Sequence, residues 1–411
     1  MATQNQTINL TDAILTEIIA RLPLRIIARF KLVSKTWKST IESLYFRRLF
    51  VSLHQKSSTS WSLMNYGDEF FGFHGCETWD LQKSLSFYIP PSLHVIKASS
   101  HGLVLISDYG DYCFVGNPVL RQWIKIPPAP GKSSVFGLVT RVDDYGFVLG
   151  FKVVRLAKMR PTSIYLSSVL NVFMYSSETG IWTSKTIHCP YQITNPGSLT
   201  LAGTIYFSHL SEPGLLVAHD FYSESSDQFR VIPLPDHPNH DFKSALTSSG
   251  GFAMYIRTLS ESSSNDFKAW RLNNDSTWQL LWNIALPISL ISDYVPMAMH
   301  PFDSDIVYFW SRENRHLVSC NLRTQNNRIL GAEDNDDDHE DYISNKSNCE
   351  KEMDEICGFK VSAGLLQLVL PRWMESVPRP PQVEIMNTTS VISYVTSMQE
   401  TRRRNRDTYG Y

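Results

Sequence analysis

The segment from Leu10 to Leu53 constrains the fold of this chain more than any other, because its apolar residues recur at helical spacing. A first helix is predicted after Thr11, a residue type that caps helix N-termini. At roughly 100° per residue, the apolar side chains of this helix form one stripe. The stripe consists of Ile14, Leu15, Ile18, Ile19 and Leu22. Pro23 cannot lie in a helix interior, so the first helix ends before it.

The second predicted helix, from Leu24 to Val33, is apolar on all sides. A helix of this kind must be covered all round. A third helix follows the capping residue Ser34, with Trp37, Ile41 and Leu44 on its apolar face. Three such helices, of about 40 residues in all, are near the lower limit for independent folding. The sequence therefore predicts a second body against the helices, either the rest of the chain or a separate protein.

The same segment resembles the F-box in the order and spacing of its residues. The matching residues are Leu10, Asp12, Ile14, Ile18, Leu22, Pro23, Arg29, Phe30, Val33, Ser34, Lys35, Trp37 and Phe46. The resemblance implies a three-helix module that binds a Skp-type adaptor and, through it, a cullin-based ubiquitin ligase. The residues implied for adaptor binding are Leu10, Ile14, Ile18, Leu22, Pro23, Leu24, Ile27, Val33 and Trp37. At Thr11 the family usually has proline. The alternative is a small helical cap that packs on its own chain.

Length and composition exclude several classes of protein. With 411 residues the chain is long enough for a small module and one large domain. A net charge of −2 gives no indication of a nucleic-acid partner. No run approaches the roughly 18 apolar residues that span a membrane, and the N-terminus does not resemble a secretory signal. The cysteines are scattered without a CxxC pair, which indicates reduced thiols in the cytoplasm or nucleus.

From about residue 61 onward, short apolar runs separated by turn residues predict many β-strands. A unit of strand, polar turn and strand recurs around Trp123, Trp182, Phe229 and Trp278, and more weakly in LVSCNLRTQNNRIL. Successive units lie roughly 45 to 60 residues apart, which is the period of propeller blades. Sheets that are apolar on both faces are covered when they stack radially. We therefore predict a mainly β fold with a small α-helical N-terminal module, the β part being a propeller of six or seven blades. A β-sandwich is the alternative.

The β-rich part resembles the F-box-associated, kelch-like domain of plant proteins. The segments that carry the resemblance are NPVLRQW with the following IPP, SSETGIW, FRVIPLP and HPFDSDIVYFW. This resemblance implies that the domain recruits a protein substrate, and it does not identify that substrate.

The two ends of the β-rich part, residues 61–90 and 358–371, are expected to share one blade and so close the ring. Residues 333–355 hold eleven acidic residues and two lysines, which predicts a disordered loop. The predicted organisation is a flexible N-terminus at 1–9, an F-box at 10–53, a propeller at 54–371 with a disordered acidic insertion at 332–355, and a flexible tail at 372–411.

No group of residues carries a strong signal for catalysis, for a metal or for a cofactor. The run from Asp236 to Asp241 has no metal-ligand spacing, and the alternating aspartates of 334–338 lack the glycine and glutamate of a calcium loop. His188 and Cys189 are adjacent, but no orienting group can be named. The repeated tryptophans are assigned to blade packing rather than to an aromatic cage. The arginines of 402–406 fit either a nuclear address or a solvated end.

These observations predict a non-catalytic subunit that recognises the substrate of a Skp–cullin–F-box ubiquitin ligase. Its expected partners are the adaptor, through it the cullin, and an unknown protein target, with no nucleic acid, membrane or cofactor. The expected location is the cytoplasm, the nucleus or both. The alternatives are a stand-alone propeller scaffold and a small-molecule sensor, each with a helical cap.

Overall fold

The structure of the protein is a computed structural model that describes most of the helical and β-rich parts of the chain. The described residues are 12–54, 60–65, 68–74, 89, 96–107, 113–131, 133–157, 169–189, 191, 198–201, 203–208, 214–223, 228–235, 242–261, 264–286, 294–330, 361–362 and 365–409. The N-terminus predicted to be flexible and the predicted acidic insertion lie outside them. Within these ranges, no helix is long and apolar enough to cross a membrane.

Four short helices form the N-terminal module, one more than the sequence predicted. They are α1 (Asp12–Ile19), α2 (Leu24–Phe30), α3 (Lys35–Glu42) and α4 (Leu44–Leu53). Ser34 caps α3 as predicted, since its hydroxyl accepts a hydrogen bond from the backbone N–H of Trp37 at 3.1 Å. The third predicted helix is divided because the hydroxyl of Ser43 accepts a hydrogen bond from the N–H of Phe46 at 3.1 Å and so begins α4.

Six sheets follow the helices in the described part of the chain. The closing sheet contains β1 (Trp61–Asn65), β2 (Asp68–His74) and β24 (Leu366–Val369). The first blade contains β3 (Ile96–Ser100), β4 (Leu103–Ser107), β5 (Cys113–Asn117) and β6 (Gln122–Ile126). The second contains β7 (Ser133–Val142), β8 (Val148–Ala157), β9 (Val169–Ser176) and β10 (Trp182–His188).

Three further blades complete the ring. The third contains β11 (Ser198–Leu201), β12 (Thr204–Ser208), β13 (Leu215–Asp220) and β14 (Arg230–Pro233). The fourth contains β15 (Phe242–Ser249), β16 (Phe252–Glu261), β17 (Ser264–Leu272) and β18 (Trp278–Ala285). The fifth contains β19 (Tyr294–Met299), β20 (Ile306–Ser311), β21 (His316–Asn321) and β22 (Asn327–Leu330). Two short strands extend blades at their edges, β23 (Val361–Ser362) beside β15 and β25 (Met386–Asn387) beside β6.

The sheets stack radially as a β-propeller. Strands within each blade are antiparallel neighbours in chain order. The first strand of each blade lies against that of the next from β3 to β19, and β24 lies against β3. Separate clusters of buried apolar side chains fill the spaces between neighbouring sheets. This packing covers both faces of each sheet, as radial stacking requires.

The predicted number of six or seven blades is wrong. The described residues hold five complete four-stranded blades, together with the three-stranded closing sheet. The segments at the two ends of the β-rich part are the candidates that the sequence offers for further blades. The number comes out too high because the described residues of these segments supply only the smaller closing sheet and the short edge strand β23 of the fourth blade.

Two of the repeated tryptophans tie the second and fourth blades to the blades that precede them. Trp182, at the start of β10, donates its indole N–H to the carbonyl oxygen of Pro127 at 2.9 Å. Trp278, at the start of β18, donates to the carbonyl oxygen of Pro233 at 2.8 Å. Pro233 is the last residue of the outer strand of the preceding blade, and Pro127 directly follows such a strand. The predicted role of these tryptophans in blade packing is confirmed.

The ring closes by pairing the two ends of the β-rich part, as expected. β24 runs antiparallel to β1, with Trp61 opposite Val369 and Met64 opposite Leu366. Gln367 in β24 also links the closing sheet to the fourth and fifth blades. Its amide N–H groups donate to the carbonyl oxygens of Ser248 at 2.9 Å and of Met299 at 2.6 Å.

The prediction of a flexible tail at 372–411 is wrong for the described residues. Residues 365–387, which we call the C-terminal strap, run from β24 across the first two blades to β25. The strap leads into α5 (Thr388–Tyr409). Trp373 and Val377 of the strap are 2% exposed, and Val391 and Val395 of α5 are also buried. These side chains bury enough apolar surface to hold the segment in place, although they stand among prolines and polar residues.

We predict that Gln367→Ala lowers the free energy of unfolding of the whole chain by about 2 kcal/mol, since carbonyl groups in two blades lose their donor. Chemical denaturation followed by circular dichroism measures this change. Gln279→Ala, which removes an exposed glutamine of β18, is the matched control and should leave the unfolding free energy nearly unchanged. Equal effects of the two substitutions would contradict the role of Gln367 in closure.

Candidate functional site

One face of the helical module is sealed within the chain. Leu24 and Ile27 of α2, Ile41 of α3, and Phe46 and Phe50 of α4 are at most 1% exposed. They belong to the same apolar cluster as residues of the closing sheet, the first blade and the strap. The module therefore packs on the propeller at the interface where the ring closes.

The module also carries exposed apolar side chains, which we call together the exposed apolar face. We use this name for six side chains: Ile14, Ile18, Leu32, Val33, Leu44 and Tyr45. Their exposed fractions range from 47% for Ile14 and Ile18 to 87% for Leu32. Scattered single apolar residues are normal on a protein surface, whereas a concentration within one small module indicates an interaction site.

The local structure explains why these side chains point outward. In α1, Thr16, Ile19 and Ala20 face the core, so Ile14 and Ile18 lie on the opposite side of the helix. α2 ends at Phe30, so Leu32 and Val33 fall in the turn before α3 and cannot follow Ile27 into the core. An ion pair between Lys31 and Glu42, at 3.6 Å, brings this turn close to the start of α4, where Leu44 and Tyr45 lie.

The residues predicted to bind an adaptor are divided among three environments. Ile14, Ile18 and Val33 are exposed. Leu22, Pro23 and Trp37 are half-buried, and the ring of Trp37 lies 4.9 Å from that of Phe30. Leu24 and Ile27 are covered by the chain itself, and Leu10 lies outside the described residues.

Leu32, Leu44 and Tyr45 belong to the exposed apolar face, but the predicted adaptor-binding residues do not include them. Leu32 and Leu44 stand in the apolar runs of the sequence, so their apolar character is visible there. Their exposure is not, because it depends on where α2 and α3 end.

The sealed face meets the strap through aromatic and charged contacts. The ring of Trp373 lies 5.1 Å from that of Phe50 and 5.9 Å from that of Phe46, both edge-to-face. Arg47 donates to the carboxylate of Glu375 at 3.0 Å. The pKa of Glu375 is nevertheless raised above its usual range, because burial opposes the charge more than the Arg47 guanidinium favours it.

The other residue groups considered in the sequence do not form a reactive site in the described part of the chain. His188 is exposed, whereas Cys189 is buried and donates its thiol to the carbonyl oxygen of Tyr191 at 3.0 Å. Burial raises the pKa of this thiol, which opposes a role as nucleophile. Among described residues, no three His, Cys, Asp or Glu side chains are grouped as a metal site. The run from Asp236 to Asp241 and the aspartates of 334–338 lie outside them.

Comparisons with known proteins agree with this arrangement. A model of the F-box domain matches residues 8–49. A second family model, described as the β-propeller of F-box proteins like At3g26010, matches residues 59–379. F-box protein At3g26010 of Arabidopsis thaliana is 76% identical and covers 98% of this chain and 99% of its own length. F-box protein At1g49990 of the same plant is 41% identical, covering 89% of this chain and 97% of its own length.

Among solved structures, similarity is weak. A chain of the crystal structure of the nidogen/laminin complex is 11% identical with a TM-score of 0.34, and the match covers 66% of this chain and 92% of that one. This likeness adds nothing to the account of the fold.

We predict a pH-dependent effect of Glu375→Gln. Because folding raises the pKa of Glu375 above 4.5, the folded chain binds this proton more tightly than the unfolded chain. The contribution of Glu375 to stability therefore falls as the pH rises from 4.5 through the raised pKa. Relative to the wild type, the variant should gain stability between low and neutral pH, as measured by denaturation at both. A relative loss at neutral pH would show that the attraction of Arg47 outweighs burial.

Proposed function

Since this chain belongs to the family of F-box proteins with an At3g26010-like β-propeller, we propose that it is the substrate-recognition subunit of a Skp–cullin–F-box ubiquitin ligase. The helical module would bind a Skp-type adaptor, and through it a cullin. The propeller would bind a protein target. The kelch-like character of the propeller is part of the proposal, supported by a relative at 46% identity, At4g22430, whose name includes F-box/kelch-repeat.

The exposed apolar face is the observation that carries this proposal. Full burial of a leucine, isoleucine or valine side chain contributes about 1.5–3 kcal/mol. A few such side chains at the centre of an interface usually supply most of the binding energy. Ile14, Ile18 and Val33 stand at positions that match the F-box pattern, and they are exposed and lie outside the apolar cluster that joins the module to the propeller.

The proposed role requires no catalytic residue in this chain. A ligase subunit accelerates transfer by holding the lysine of the target close to a charged conjugating enzyme. The propeller suits this task because its blades are tied together by buried clusters and by the hydrogen bonds of Trp182 and Trp278. In this proposal the F-box comprises residues 10–53 and the propeller residues 54–371. The protein would act in the cytoplasm or the nucleus, without a nucleic-acid or membrane partner.

A second candidate function is a propeller scaffold or small-molecule sensor with a helical cap. The packing of Phe46 and Phe50 against Trp373 favours this reading, because a cap would pack on its own propeller. A helical cap that only packs on its own propeller would not need the exposed apolar face. Binding to an adaptor therefore separates the two functions.

We predict that Ile18→Asp and Val33→Asp each weaken binding to a purified Skp-type adaptor by about thirtyfold or more, since each places a charge in the proposed interface. Isothermal titration calorimetry with the full chain measures this affinity. Both side chains are exposed, so the unfolding temperature should not fall.

Leu280→Asp is the matched control for this experiment. Leu280 lies in β18, and its exposed fraction of 47% equals that of Ile18. The control should bind the adaptor like the wild type. Wild-type binding by Ile18→Asp and Val33→Asp, or no binding by the wild type, would favour the scaffold over the ligase subunit.

A further inference from the structure

The C-terminal strap is fixed to the propeller at both ends. At one end, β24 pairs with β1 over four residues, and Gln367 bonds to two further blades. At the other end, β25 pairs with β6, and the indole N–H of Trp123 donates to the hydroxyl of Thr388 at 3.0 Å. A segment held at two points has little freedom to move between them.

Between its ends the strap fits closely against the first two blades. Pro371 packs against Gly102, whose φ of +77° and lack of a side chain permit the approach. Pro380 packs in the same way against Gly180, whose φ is +75°. Val377 is buried in the apolar cluster between the first and second blades. The strap is thus part of the rigid body of the propeller.

The helical module rests on this rigid segment through α4. Trp373 projects from the strap between the rings of Phe46 and Phe50. Arg47, on the same helix, is paired with Glu375 at 3.0 Å. One turn of α4 therefore contacts the strap through an apolar contact and an ion pair. Together these two contacts hold α4 at a fixed distance from the strap and in a fixed orientation.

We propose that Trp373 is a positioning residue, which sets the direction in which the exposed apolar face points relative to the propeller. This inference rests on the proposed function for its biological meaning, since the adaptor and the target must be held at a fixed separation for transfer. The strap, which comes from the far end of the sequence, controls the orientation of the N-terminal module. Loss of the indole ring leaves Phe46 and Phe50 without this contact, so that the module can tilt.

Distance distributions between two spin labels test this role in the full chain without adaptor. The labels are attached through unnatural amino acids at Lys38 of α3 and at Asn274 in the turn between β17 and β18, both exposed. Double electron–electron resonance should give one narrow peak for the wild type and for Trp373→Phe. Trp373→Ala should lose that narrow peak and give a broad distribution.

Phe309→Ala is the matched control, because Phe309 is fully buried between the fourth and fifth blades, in an apolar cluster that contains neither Trp373 nor any residue of the helical module. It should lower the stability of the propeller and keep the narrow peak. A narrow peak for Trp373→Ala, or a broad distribution for the control as well, would overturn the proposal.

A second variant serves if Trp373→Ala does not fold. Arg47→Ala combined with Glu375→Ala removes both partners of the partly exposed ion pair, and its distribution should broaden. An unchanged peak in this variant would overturn the positioning role. The affinity for adaptor is measured separately and should not change in any of these variants. Failure of the wild type to bind adaptor would refute the ligase function and leave the distance result intact.

Discussion

The edge-to-face contact of Trp373 with Phe46 and Phe50 joins the two parts of this protein. A helical module of about 40 residues has too small a core to be stable alone, and this contact extends its core into the propeller. The same apolar cluster contains the closing interface between β24 and the first blade. Stability of the module and closure of the ring therefore depend on one continuous core.

Packing on the propeller leaves the module with one set of buried apolar side chains and one set of exposed ones. Leu24 and Ile27 of α2 are buried in the chain, whereas Arg25 and Arg29 of the same helix are exposed. The side chains that follow it, Leu32 and Val33, are exposed. A face that is sealed by the chain cannot bind a partner, whereas the exposed side chains are accessible to one. The chain thus exposes the side chains that we propose for adaptor binding on a module whose other face is packed on the propeller.

The helical module and the propeller could be predicted from the sequence, because both have a repeating pattern of apolar residues. The period of the blades and the recurring tryptophans predicted a propeller, and the helical spacing with Ser34 predicted α3. The strap could not be predicted in this way, since Trp373 and Val377 stand among prolines without a regular period. The helical spacing of Val391, Val395 and Met398, after the capping residue type Asn387, was a signal for α5 in the sequence. Exposure of Leu32 and Leu44 depends on helix ends and tertiary packing, which periodicity does not specify.

Hydrogen–deuterium exchange of the full chain, with and without a purified Skp-type adaptor, shows whether the adaptor binds the exposed apolar face of the module. We expect slower exchange in α1, in the turn between α2 and α3 and at the start of α4, with no change in the strap or in the outer strands of the blades. Unchanged exchange throughout the module, or protection confined to the propeller, would contradict this expectation.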